Sequence, residues 1–217
     1  MKKDSLKEAV SISLPIVNTE YKHIGKLVPV GEWILDDKQK IQSICDWRQR
    51  SMKMFLTQFN STYQKTFEYL KNFSIGLDNR LLFFIYDSED KVVGHIGISE
   101  VDSTSVELDN LMRGAVGGDP RLIYFSEITL LNWCFTICKH LCSDVKVLSY
   151  NGMVLSLHKE VGYREKEKIS LKKIVKGGDV THKSVCQADS NVKYTYITMS
   201  LQRENFYKNA GWLKNSN

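Results

Sequence analysis

Residues 151–163, which read Asn-Gly-Met-Val-Leu-Ser-Leu-His-Lys-Glu-Val-Gly-Tyr, constrain the fold more than any other stretch of the chain. They follow a β-type run at residues 145–150. Asn151 is placed to cap a helix, Val154, Leu155 and Leu157 supply one apolar face, and Gly162 can take the left-handed conformation that ends a helix. The segment therefore predicts a strand, a turn and a short docked helix, an order that puts a ligand site at a strand end.

The preceding residues extend the pattern. Residues 81–86 read as a buried strand, 87–91 as a turn and 92–99 as the antiparallel partner. Residues 106–112 predict a third strand whose alternation sends Glu107, Asp109 and Leu111 to one face and Leu108, Asn110 and Met112 to the other. Arg113, Gly114, Val116, Gly117 and Gly118 then form a glycine-rich loop, followed by a helical run over residues 120–141. Asp119 can accept orphan backbone N–H bonds and Pro120 suits a first helical position. Exposed amides leading into a helix start suit a pyrophosphate. Upstream, residues 37–72 predict helix in two pieces, with Ile41, Ile44, Trp47, Met52, Met54, Phe55 and Phe59 turned inward. Downstream, residues 166–175 and 192–201 predict a final strand pair, joined by a polar loop at 176–191.

On these residues the chain resembles the GNAT superfamily of acyl-CoA-dependent N-acyltransferases, whose pattern is Asn, a short apolar helix, then Leu-Tyr-x-x-x-Gly-Phe. Asn151, Leu157, Gly162 and the aromatic Tyr163 match it, and His158 stands at the tyrosine position. The resemblance covers the ordered elements of residues 81–163. It implies a fold of α/β (α+β) class: a single domain over residues 1–217 with a mixed, mostly antiparallel central sheet flanked by helices. Acceptor-side helices would occupy residues 37–72, the acyl-CoA core 81–163 and the closing strand pair 164–203. Acetyl-CoA is the implied cofactor, held by Leu111, Met112 and Arg113 of the third strand, by Gly114, Val116, Gly117 and Gly118 of the loop, and by Asn151. Candidate catalytic residues are His158, as acid or base, and His95, Glu107 and Asp109 as rival bases. The implied acceptor is a small-molecule amine, preferentially a nucleotide-linked amino sugar of surface-polysaccharide synthesis. A protein N-terminus and a noncatalytic CoA-binding module are the alternatives.

Composition bounds the rest. A chain of 217 residues with 42% hydrophobic content can bury a continuous core. A net charge of +5 suits a phosphorylated ligand but gives no ground for nucleic-acid binding. The run at residues 9–17 is broken by serines and Pro15, and no stretch approaches the roughly 20 apolar residues of a membrane helix. Five cysteines fit a reducing compartment, so a cytoplasmic protein without membrane partners is expected. Cys134, Cys138 and Cys142 recur every four residues, but no histidine pair stands at metal-binding spacing, and buried apolar cysteines are expected rather than a metal site. An exposed strand edge leaves room for a homodimer.

Overall fold

The computed structural model describes residues 1–215. Nine strands form one sheet in the order β1-β2-β3-β4-β5-β6-β9-β7-β8. They are β1 (Leu14–Val17), β2 (His23–Pro29), β3 (Leu81–Asp87), β4 (Val92–Ser99), β5 (Ser105–Arg113), β6 (Cys142–Leu148), β7 (Arg164–Lys176), β8 (Asp179–Val185) and β9 (Thr195–Gln202). Every pairing is antiparallel except β5 with β6, which run parallel for Ser105 to Glu107 opposite Cys142 to Asp144 and then part. The expected α/β class and mixed, mostly antiparallel sheet are observed.

Both faces of the sheet are covered, as the near-continuous apolar run of β3 requires. Phe83 and Ile85 pack with Leu122, Phe125 and Ile128 of α4 (Leu122–Thr136) and Leu155 of α5 (Gly152–Val161). Leu82, Phe84 and Tyr86 point the other way, into a second core with Ile41, Ile44 and Trp47 of α2 (Lys38–Arg50). Asp37 starts α2 by accepting from the Lys40 amide at 3.0 Å. On the same face, Tyr63–Tyr69 is α-helical and passes directly into a π-helical turn, Leu70–Ile75. The short helices Leu6–Ser11 and Arg203–Asn209 complete the set.

Several boundaries differ from expectation. The N-terminal residues contribute β1 and β2, although Pro15 and Gly25 weaken their strand signal. The helix expected over residues 120–141 begins at Leu122 and ends at Thr136; Cys138 lies beyond it and Cys142 opens β6, so the cysteines form no helical stripe. Asn151 precedes α5 without a side-chain cap bond, whereas Gly162 takes the left-handed conformation at φ 119°. The polar loop expected at 176–191 contains β8, turned by Gly177 and Gly178 at φ 59° and 88°. Paired positive φ values are what a two-residue hairpin turn demands, and the Gly-Gly pair is the sequence signal for it.

This hairpin anchors the segment linking α2 to the next helix. Gln58 and Val180 exchange two backbone hydrogen bonds of 2.7 Å, the His182 ring bonds the Leu56 carbonyl at 2.7 Å through Nδ1, and the Tyr150 hydroxyl donates to the Lys53 carbonyl. The link thereby crosses from one arm of the parted sheet to the other. Removing the His182 contact in His182→Ala should speed amide exchange at Gln58 and Val180 by roughly three- to ten-fold, the scale of one hydrogen bond. Hydrogen-exchange mass spectrometry reads this directly, and unchanged exchange would assign the anchoring to the other contacts.

A buried polar pair joins α4 to α5. His158 Nδ1 lies 2.7 Å from Glu127 Oε1; the residues are 2% and 0% exposed, and Glu127 Oε2 has no protein partner. Tyr163 packs on the His158 ring at 5.3 Å and bonds Ser143 at 2.7 Å. His158→Ala would strand a buried carboxyl group and should cost about 3–5 kcal/mol in urea denaturation, whereas the double variant Glu127→Leu/His158→Leu should recover most of that loss. Equal losses in the single and double variants would show that the stranded carboxyl group is not the source of the loss.

Candidate active site

The site is built where β5 leaves β6. Between the pairs His95–Met112 and Gly97–Asp109, β4 has one residue, Ile96, and β5 has two, Asn110 and Leu111, which makes a β-bulge. Asn110 absorbs it at φ 53°, a conformation asparagine tolerates. The bulge corrects the simple alternation expected for this strand. Glu107, Asp109, Asn110 and Met112 all line one cleft, while Leu111 joins Val106 and Leu108 on the opposite core.

The cleft has a volume of about 610 Å³ and lies between β3–β5, the helices of residues 38–69 and the β6/β9 arm. It brings together three of the four expected catalytic residues, His95, Glu107 and Asp109. His158 does not line it, because its ring faces Glu127 in the interior.

His95 is 4% exposed and stacks on Trp47 at 6.1 Å. Its Nδ1 lies 2.6 Å from the Asn110 carbonyl, which can only accept, so Nδ1 carries the proton and Nε2 keeps a bare lone pair. Nε2 is buried and has no partner among the described residues. Burial pushes the imidazole down to about 4, with the Asn110 bond opposing and the Arg48 charge assisting. The side chain is a neutral base at physiological pH.

The carboxylates are already paired. Glu107 bonds Lys146 across the fork between β5 and β6, and burial raises its carboxyl above the usual range against the pull of that lysine. Asp109 lies 3.7 Å from Arg80 and bonds the Asn110 side chain at 2.8 Å, which in turn donates to the Tyr69 hydroxyl at 3.0 Å. Tyr69 and Tyr196 also line the cleft, and burial raises both phenols. Neither tyrosine stands in a motif, and only the folded chain places them.

Of the expected cofactor residues on β5, Met112 lines the cleft and Leu111 packs on the opposite core, while Arg113 ends the strand and leads into the glycine loop. Beyond Glu107 the edge of β5 that faces β6 has no partner strand among the described residues, which leaves main-chain groups around Leu111, Met112 and Arg113 outside the ladder on that side. In the loop, the Gly114 and Ala115 amides both donate to Val93, at 2.8 and 3.0 Å. Gly114 itself is required by packing, since a Cβ there would sit 1.9 Å from the Trp47 ring. Arg113 ties the loop by donating to the Gly117 carbonyl at 2.6 Å, and Gly117 and Gly118 have φ of 143° and 67°. Val116 is fully exposed. The Asp119 carboxylate turns back to accept from the Arg121 amide at 2.8 Å. Asn151 is half-buried between β6 and α5.

Among the described residues no group of three or more His, Cys, Asp or Glu is placed to hold a metal ion, and no helix is long and apolar enough to cross a membrane.

No family model and no curated protein sequence matches the chain. Solved structures do. A nucleotide-linked sugar GNAT, FdhC in its apo form, is 14% identical, with a TM-score of 0.62 over 88% of this chain and 93% of that one. Spermidine N-acetyltransferase from Vibrio cholerae, in complex with CoA and spermine, is 13% identical, with a TM-score of 0.57 over 79% and 93%. A GCN5-related N-acetyltransferase from Brucella melitensis is 13% identical, with a TM-score of 0.66 over 89% and 82%. The parted β5 and β6, the glycine loop and the short helix after β6 thus belong to a chain with the fold of the GCN5-related N-acetyltransferases.

Proposed function

We propose that this chain is a cytoplasmic acyl-CoA-dependent N-acetyltransferase that uses acetyl-CoA and a small-molecule amine bound in the β5 cleft. The observation that carries the reading is His95, a neutral imidazole whose unpartnered Nε2 is buried at the cleft wall. The open edge of β5 and the loop at residues 116–119, whose amides donate to no described protein group, fit the pantetheine and pyrophosphate of the cofactor. Bound acetyl-CoA would supply the acetyl group as a thioester. Nε2 of His95 is placed to accept the proton that the acceptor nitrogen must lose, and the Asn110 carbonyl holds the required tautomer.

Glu107 and Asp109 are assigned to holding Lys146 and Arg80, since each already faces a cation. His158 is assigned to joining α4 and α5. The finer reading, a nucleotide-linked amino sugar as acceptor, is supported by likeness to the nucleotide-linked sugar GNAT and by a cleft large enough for a ligand of that size.

Calorimetry should show saturable acetyl-CoA binding, equal in wild type and His95→Gln. Turnover of an amine acceptor should fall by about 10²-fold or more in that variant, the usual contribution of general base catalysis. Undiminished turnover would remove His95 from the chemistry. The titration gives a second readout. Between about pH 6.5 and 4 the unfolded chain takes up a proton that folded His95 refuses, so folded stability should decline as pH falls through that window. Histidine-selective NMR should find the His95 ring neutral at pH 5.5; a protonated ring there would contradict the buried-base geometry.

A further inference from the structure

We propose that Arg48 is the seat of an anionic group carried by the acceptor, so that the cleft selects an amine bearing a phosphate or carboxylate over a polycationic amine. The inference rests on the acetyltransferase reading and names the acceptor class of that same cleft.

Arg48 projects from the last turn of α2 into the cleft. Its guanidinium lies 3.3 Å from the centre of the Phe55 ring and 5.7 Å from that of Phe59. One N–H donates to the Thr57 carbonyl at 3.1 Å. Its other donors have no protein partner among the described residues, and no carboxylate there lies within salt-bridge distance. Of the three other cations lining the cleft, two are matched by carboxylates, and the third, Lys65, lies over the Phe59 ring and donates to the Asn60 carbonyl at 3.3 Å. Lys146 is matched by Glu107 and Arg80 by Asp109, while Glu100 stands at the exposed rim. Burial lowers the guanidinium to about 10, with Tyr69 and Asp109 opposing, so it remains charged at neutral pH.

Removing a guanidinium from water without a counter-ion is unfavourable, and stacking on an aromatic ring offsets only part of that cost. The free edge of the planar fork fits two oxygens of one carboxylate or phosphate. An anion there would place the acceptor between Arg48 and His95, two groups near enough for the arginine charge to depress the histidine. The Phe55 and Phe59 rings would border the same ligand. A polyamine would instead meet an uncompensated positive charge, because both buried-side carboxylates are occupied.

The test is calorimetric titration of the full chain, in saturating CoA so that the cofactor site does not compete, with inorganic pyrophosphate, succinate and spermidine as probes. Binding of pyrophosphate or succinate to wild type, weakened roughly ten-fold or more in Arg48→Gln and partly restored in Arg48→Lys, is the expected result. Tighter binding of pyrophosphate points to a phosphorylated acceptor and tighter binding of succinate to a carboxylated one. Equal affinity in wild type and Arg48→Gln, no binding of either anion, or preference for spermidine overturns the proposal. Near-UV circular dichroism establishes that both variants are folded. Failure of CoA to bind would instead sink the acetyltransferase reading, and the Arg48 dependence of anion binding would still be read without it.

Discussion

The parting of β5 from β6 is the constraint on which the rest of the structure depends. Each strand keeps a full ladder on its outer side, β5 with β4 as far as Arg113 and β6 with β9 as far as Leu148, but they share only three parallel positions. Two well-anchored strands can diverge without unravelling because neither depends on the other for its pairing. The result is a sheet with a fork in its middle, main-chain groups free along it, and Glu107 and Lys146 bridging its root. The segment between α2 and the following helix then spans the open arms by bonding to β8.

The bulge at Asn110 converts that fork into a site. An uninterrupted β5 would turn Met112 and Asp109 to opposite faces, so only one of them could line the cleft. The Asn110 carbonyl, within the bulge, accepts from His95 and so fixes which nitrogen carries the proton. Trp47 ties the two sides together, since its ring stacks on His95 while Gly114 passes too close to it to bear a side chain. A change at Trp47 would therefore disturb both the His95 ring and the start of the glycine loop. Burial and the Arg48 charge push the His95 equilibrium the same way.

Much of the fold was legible because β3, β4, β5, α4, β6 and α5 each carry a strong local pattern, with punctuation by Gly117, Gly118 and Gly162. What was not legible depended on long-range pairing. β1 and β2 are short, contain Pro15 and Gly25, and pair with each other, with β2 joining the pair to β3. β8 is polar on its exposed face and is specified by its Gly-Gly turn and by Gln58, more than a hundred residues away. In the site, His95, Glu107 and Asp109 could be brought together from the adjacency of two strands. The burial of His158 could not, because it depends on Glu127, which reads as an ordinary helix-surface residue in the sequence. Nor could pairing be assigned among the basic residues. Arg48 and Arg80 differ by the position of one aspartate.

The two sides of β5 also explain why the glycine loop departs from a simple phosphate cradle without losing its suitability as one. The Gly114 and Ala115 amides are spent on Val93, which continues the strand, while the amides of residues 116–119 donate to no described protein group. Arg113 binds the Gly117 carbonyl, so the peptide oxygen is held by a guanidinium and turned from repelling an anion. Asp119, whose carboxylate would oppose phosphate, is instead committed to the Arg121 amide. Because Arg113 directly continues the bulged strand, a shift at Asn110 that moved His95 would also move the anchor of the loop. The His95 contact and the glycine loop therefore share one mechanical element, the four residues from Asn110 to Arg113.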